Sequence, residues 1–351
     1  MKPRPVSNPP NPWTPTTVDF LGEPPTAALH VYEDATREIL ARNDSPDVGF
    51  TWSVNPYRGC GHACAYCYAR PTHEYLGFGA GTDFDTRIVA KLRAPELLRE
   101  AFDRPSWCGE TVVFSGVTDP YQPLEASLRL TRGCLEVCAA YRNPVALITK
   151  SALVERDLDL WALLAREARA EVAISLPFLD ARRARALEPG AAAPARRLAA
   201  MARLASAGVP VSIMVAPVIP GLNDEEIPAA LEAAAAAGAR SAGFVLLRLP
   251  GSVKAVFEER LRAAMPDRAD RVLHRIRETR GGSLYDPRFG WRQRGDGPYA
   301  GAVAALFEAA ARRAGLASRR EPDGAPTTFR RPGGQLDLFA RCERAAGDSQ
   351  A

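Results

Sequence analysis

The sequence is short of several things at once. Only four of its 45 basic residues are lysines (Lys2, Lys91, Lys150 and Lys254), and 41 acidic residues leave a net charge of just +4. So even a balance is weak support for a polyanionic partner recruited by bulk charge, and it makes each lysine conspicuous in a chain that prefers arginine. No apolar run approaches the roughly 20 residues that cross a bilayer. The N-terminus shows no charged-then-apolar leader, so the expectation is a cytoplasmic protein. Cysteine is scarce too, seven in 351 residues, with no second C-x2-C pair of the kind that builds two-knuckle zinc sites. The length allows a large core, as one barrel-sized domain or a domain with appendages.

What cysteine there is, is concentrated. Cys60, Cys64 and Cys67 fall within NPYRGCGHACAYCYAR, residues 55–70. The spacing C-x3-C-x2-C gathers three soft ligands in one loop, suited to three corners of a cubane iron–sulfur cluster. The fourth iron is left open to a cofactor or substrate. A disulfide would leave one thiol over. A single zinc completed by His62 or His73, in a non-catalytic nucleic-acid-binding or adaptor protein, stays open as the alternative.

The motif C-x3-C-x-aromatic-C, carried by Cys60, Cys64, Tyr66 and Cys67, resembles the signature of the radical S-adenosylmethionine (SAM) superfamily. The resemblance implies a [4Fe-4S] cluster on the three cysteines, with SAM chelated at the open iron. It further implies an external electron donor, cleavage of SAM to a 5′-deoxyadenosyl radical, and Tyr66 near the adenine.

Short apolar runs recur at 51–57, 111–117, 145–150, 171–177, 210–220 and 242–250, nearly continuous in apolar character as doubly buried strands should be. Helical patterns separate them at 94–103, 125–142, 156–169, 194–207 and 224–237. This alternation predicts an α/β fold with a parallel sheet. Six strands suggest a partial (β/α)6 TIM-like barrel, which the resemblance favours over an open doubly wound sheet. In such a barrel the site lies at the carboxyl ends of the strands, and the cysteine loop follows the first strand. The expected organisation is a Pro-rich extended arm (1–30), a core barrel (31–251), a helical extension (252–315, with helices at 252–264, 267–280 and 298–314) and a disordered tail (316–351).

Other polar residues fall at strand ends. Thr118 and Asp119 follow the second strand, where the superfamily often receives the SAM amino group. Lys150 ends the third strand and Ser175 the fourth; by resemblance to the spore photoproduct lyase-like branch, both contact the SAM carboxylate. Residues 216–224 resemble the segment that passes beneath adenine. The lyase returns a hydrogen atom from a cysteine in the stretch matching Gly116–Tyr121, but this sequence has none there; Tyr121 would be the substitute donor. Gly77 to Gly81 reads as a flexible loop. Cys134 and Cys138, four apart on a helix, are a pair that Cys108 or Cys342 would have to complete for an auxiliary cluster.

Two segments bear on partners. Arg280, Tyr285, Arg288, Phe289, Trp291, Arg292, Arg294 and Tyr299 interleave charge and aromatic rings as nucleic-acid contacts do. Near the end, Gln335, Leu336, Asp337, Leu338 and Phe339 resemble the Q-L-[SD]-L-F peptide that docks bacterial repair and replication proteins on the sliding clamp.

Overall fold

The computed structural model describes residues 8–9, 11–13, 27–318 and 326–333. Six parallel strands run side by side in chain order: β1 (Trp52–Val54), β2 (Val112–Phe114), β3 (Val145–Thr149), β4 (Ala170–Ser175), β5 (Val211–Val218) and β6 (Ser241–Leu246). A doubly wound sheet would reverse strand order at a switch point. Sequential order with right-handed crossovers puts every helix on one face and curls the sheet into a partial (β/α)6 barrel. Leu40–Arg42 extends the sheet antiparallel beside β1, and Ala317–Ser318 extends it parallel beside β6. A second, three-stranded sheet of His30–Glu33, Arg87–Ala90 and Tyr57–Arg58 stands beside the cysteine loop.

The strands are buried on both sides; Val112, Val113 and Phe114, the whole of β2, are all buried. The outer layer comprises α1 (Ala94–Asp103), α2 (Leu130–Ala140), α3 (Leu158–Glu167), α4 (Pro194–Ser206) and α5 (Ile227–Ala236). The continuous helix expected over 125–142 is broken. Arg129 adopts φ 54° between Glu125–Leu128 and α2, and the buried Glu125 carboxylate caps the second piece through the Thr131 N–H at 3.0 Å. One helix that the apolar pattern did not announce, Ala181–Leu187, is started by Asp180, which accepts from the Arg182 N–H at 2.7 Å.

Three C-terminal helices follow: α6 (Val253–Ala264), α7 (Pro266–Glu278) and α8 (Gly297–Arg313). α6 and α7 share a core with the barrel mouth, where Val253, Phe257, Leu261 and Leu273 cluster with Cys64, Ala65 and Tyr66, while α8 packs Val303 and Phe307 into the main core. The structureless tail expected from 316 is corrected for 326–333, which lies on α1 and α2. Phe329 stacks on Tyr141, centroids 6.1 Å apart, and the Arg330 N–H donates to the Tyr141 carbonyl at 2.8 Å. Within the expected N-terminal arm, the Asn11 amide donates to the Phe78 carbonyl at 3.1 Å. The Gln335–Phe339 peptide lies outside the described residues. Among those residues no helix is long and apolar enough to cross a membrane.

Trp161 on α3 is fully buried and donates its indole N–H to the Tyr121 hydroxyl at 3.1 Å. Trp161→Ala should lower stability by about 3–5 kcal/mol in urea unfolding, as a large cavity and a lost partner require.

Candidate functional site

The cysteine loop leaves the sheet at Gly59, whose φ of 78° favours glycine; a Cβ there would stand 2.8 Å from the His73 ring and 2.9 Å from the Phe84 carbonyl oxygen. The Cys60 N–H donates to that carbonyl at 2.9 Å. Beyond it Ala63 takes the left-handed conformation at φ 55°. Regular ladders are absent, so side chains hold the loop. Arg70, wholly buried, donates to the Cys64 carbonyl at 2.7 Å, to the Ala80 and Gly81 carbonyls, and to Asp85 at 2.8 Å. Arg260, from α6, donates to the Ala63 carbonyl and to the other oxygen of Asp85. From the opposite side the segment after Ala181–Leu187 presses in. The Ala65 N–H meets the Leu187 carbonyl at 2.8 Å, and the Gly190 N–H meets that of His62 at 3.0 Å. A Cβ on Gly190 would fall 2.1 Å from the Gly61 oxygen, so only glycine lets these backbones approach.

The three thiols share one environment. Burial pushes Cys60 up, and the charges of Asp119, Cys64 and Cys67 push it further. Burial likewise raises Cys64 and Cys67, opposed in both by Lys150. Thiols so placed become thiolates when a positive centre binds them. A soft, all-sulfur donor set in one loop therefore fits an iron–sulfur cluster.

Across the mouth, the ends of three strands converge. Lys150, just beyond β3, donates Nζ to the Ser175 hydroxyl of β4 at 2.8 Å and to the Ala216 carbonyl of β5 at 3.2 Å. The same ammonium stands 5.7 Å from the Tyr66 ring centroid. The Tyr66 hydroxyl donates to buried Glu188, which is paired with buried Arg197. Burial raises the Glu188 carboxyl, but Arg197 and Lys150 outweigh it and hold the group below its ordinary range.

Comparison with known proteins adds the missing piece. Residues 54–234, more than half of the chain, match the radical SAM superfamily. The chain belongs to the radical SAM superfamily. An uncharacterized protein of Mycobacterium tuberculosis is 43% identical over 224 residues, covering 63% of this chain and 66% of its own length, so the chain spans just under two thirds of that relative. An uncharacterized protein of Methanocaldococcus jannaschii is 29% identical, covering 51% of this chain and 64% of its own length. Spore photoproduct lyase complexed with dinucleoside spore photoproduct superposes with a TM-score of 0.56 at 17% identity, over 82% of this chain and 81% of that one. A mutant of the same lyase with bound AdoMet and dinucleoside spore photoproduct gives 0.55 at 18%, over 83% and 81%. At such identities the likeness speaks to the fold.

His62 and His73, the two candidate fourth ligands of the zinc alternative, each meet a protein group through one ring nitrogen. His62 points Nδ1 at Asp119 Oδ2, 3.3 Å away, and His73 bonds the Arg87 carbonyl through Nε2 at 2.7 Å. Among the described residues no three His, Cys, Asp or Glu side chains converge on a single metal ion, and Cys134 and Cys138 are buried in α2.

Other expected residues are placed differently. Asp119 accepts from the Thr149 hydroxyl at 2.7 Å, the Lys150 N–H at 2.8 Å and the Tyr121 N–H at 2.9 Å. Thr118 donates to the Gly59 carbonyl at 2.7 Å. Both shape the mouth from within the protein. Tyr121 needs correction as a hydrogen donor at the site: its ring is fully buried in the helical layer, and its hydroxyl donates to Asp157 at 2.9 Å. Arg280 donates to the Leu247 and Trp291 carbonyls, and Tyr299 to Asp224, so neither is a free contact; Phe289 and Trp291 are exposed. Sequence reasoning missed Glu188, Arg197, Arg70, Asp85 and Arg260. Glu188 and Arg197 lie in an Ala/Arg-rich stretch that resembles any surface helix, and only the short Asp180-started helix would have betrayed them.

Asp85→Ala should leave two buried guanidiniums without their counter-charge and cost about 3–5 kcal/mol in chemical denaturation. Iron retained after anaerobic reconstitution should fall with it. Burial would raise Asp119, but His62 and the hydrogen bonds from Lys150 and Thr149 hold it at about 2, below the ordinary 3.8. A depressed carboxylate stabilises the fold above its unfolded value, and that contribution disappears as pH falls from near 4 toward 2. Thermal melts of Asp119→Asn should therefore show a shallower acid limb than wild type.

Proposed function

We propose that this radical SAM enzyme acts on a base of a nucleic acid, with Cys60, Cys64 and Cys67 ligating a [4Fe-4S] cluster and Lys150 and Ser175 seating SAM. The observation that carries the reading is the meeting of Lys150, Ser175 and the Ala216 carbonyl at three successive strand ends, facing Tyr66 of the cysteine loop. When bound, the cluster and SAM supply one-electron reductive cleavage of a sulfonium and hydrogen abstraction from a substrate C–H. The protein's own residues do the rest. The Lys150 ammonium is a compact charge for the SAM carboxylate, and Ser175 adds a hydroxyl. Asp119 fixes the Lys150 backbone. The Tyr66 ring, tethered through Glu188 to Arg197, gives an apolar face beside the cysteines and limits water there.

The substrate class is supported by the fold shared with a lyase whose structures hold a dinucleoside photoproduct. Photoproduct reversal itself is not the reading. Residues 116–121 contain no cysteine, and Tyr121 is turned away into the helical layer. The sliding-clamp peptide at 335–339 would suit a protein that works on DNA.

Reconstituted, dithionite-reduced protein given SAM under anaerobic conditions should form 5′-deoxyadenosine, and single-stranded or ultraviolet-irradiated DNA should raise its rate severalfold. Absence of 5′-deoxyadenosine under every condition would refute the chemistry. An unchanged rate with all nucleic acids would refute only the substrate class.

A further inference from the structure

Arg248 stands two residues beyond β6, at the substrate end of the barrel. Its guanidinium lies over the Tyr68 ring, 5.3 Å from the centroid, and Tyr68 follows Cys67 directly. The other arginines around this mouth each have a carboxylate or carbonyl partner, although the Nε of Arg260 and of Arg280 is left without one. Arg70 and Arg260 share Asp85, Arg197 has Glu188, and Arg292 has Asp47. Arg280 is spread over backbone carbonyls. Arg248 differs from all of them. Among the described residues it has no hydrogen bond or ion pair, and its Nε is buried with no acceptor. Asp47, whose carboxyl Arg248 helps to lower, is already held by Arg292 and by the Gly290 N–H at 2.6 Å.

A guanidinium carries five N–H donors in a rigid fork, and leaving them unpaired in a half-buried place is unfavourable. Stacking on Tyr68 fixes the plane of the fork but uses none of its donors. The fork is therefore oriented, charged and open. Its planar geometry matches two oxygens of a phosphate, whereas the SAM carboxylate already has Lys150 across the mouth.

We propose that Arg248 is the phosphate-binding residue of the substrate site, receiving the phosphodiester beside the base presented to the cysteine loop. That the phosphate belongs to a nucleic acid rests on the function proposed above. Tyr68 pins the fork, and Asp47, neutralised by Arg292, does not compete for it.

The test compares the affinity of the reconstituted holoenzyme for dithymidine joined by a phosphodiester or by a neutral methylphosphonate, for wild type, Arg248→Gln and Arg248→Lys. Wild type should prefer the charged linkage by about tenfold to a hundredfold, the scale of a charge-assisted bidentate contact. Arg248→Gln should bind both alike, and Arg248→Lys should restore part of the preference. Equal binding by wild type, or a preference that survives in Arg248→Gln, overturns the assignment. So does a variant that loses SAM affinity while keeping the preference. If wild type binds neither dinucleoside, the nucleic-acid reading fails and the site is judged without a variant. Inorganic phosphate should then shield Arg248 from phenylglyoxal, read by peptide mass spectrometry, and lack of shielding overturns the anion site as well.

Discussion

Two guanidiniums meet on the carboxylate of Asp85, and both also reach carbonyls inside the cysteine loop, Arg70 that of Cys64 and Arg260 that of Ala63. The loop between Gly59 and Arg70 has no ladder of its own to hold three sulfur atoms in place. Its one non-glycine residue in the left-handed region, Ala63, carries roughly 1–2 kcal/mol of strain. Buried ion pairs are costly to break because the surviving charge is stranded in low dielectric, so the three side chains act as a unit. Arginine suits this better than lysine, since it keeps its charge when buried and its fork bonds a carbonyl and a carboxylate together. Arg260 also explains why the C-terminal helices belong with the barrel: α6 delivers it, and the apolar face of α6 lies beneath Cys64, Ala65 and Tyr66.

The other wall of the mouth is built by passing hydrogen bonds from strand to strand. Asp119, in the turn after β2, takes the Thr149 hydroxyl and the Lys150 N–H at the end of β3. Lys150 then reaches β4 and β5 through Ser175 and the Ala216 carbonyl. In a curved sheet the strand ends splay, and side chains of this kind set how far. A lysine thus persists at this position because a point charge on a flexible stem can satisfy acceptors from two strands and still offer a proton outward.

Much of this was legible in the residues. The six strands lie where apolar runs were bounded by turn chemistry, and α1 matches its expected span because leucine, alanine and phenylalanine recur there at helical spacing with a proline at its start. The cysteine spacing marked the loop, and the family resemblance marked Lys150 and Ser175, which do meet at the strand ends. What stayed hidden has a common physical cause. Asp85 and Arg260 are 175 residues apart, and Glu188 and Tyr66 are 122 apart. No local period or spacing encodes such pairings. Arginine abundance made it worse, because a buried Arg197 looks like its exposed neighbour Arg196 on the same helix. Tyr121 failed as a donor for the opposite reason. Its position in sequence was right, but a single turn of backbone decides whether a side chain after a strand faces the mouth or the helices.

The arginine richness acquires a meaning at the mouth. Three thiols and three carboxylates, Asp85, Glu188 and Asp119, share the mouth with Arg70, Arg197, Arg260 and Lys150. Without bound metal, burial keeps the thiols protonated, and the cations are balanced chiefly by those carboxylates. Converting the thiols to thiolates releases protons and adds negative charge to a region that already holds an excess of fixed cations. The protein is therefore prepared for an anionic centre before one arrives. The same logic reaches Arg248, whose guanidinium has no hydrogen bond or ion pair among the described residues. Where Arg70, Arg197 and Arg260 balance groups the protein supplies, Arg248 is the cation we propose for a phosphate.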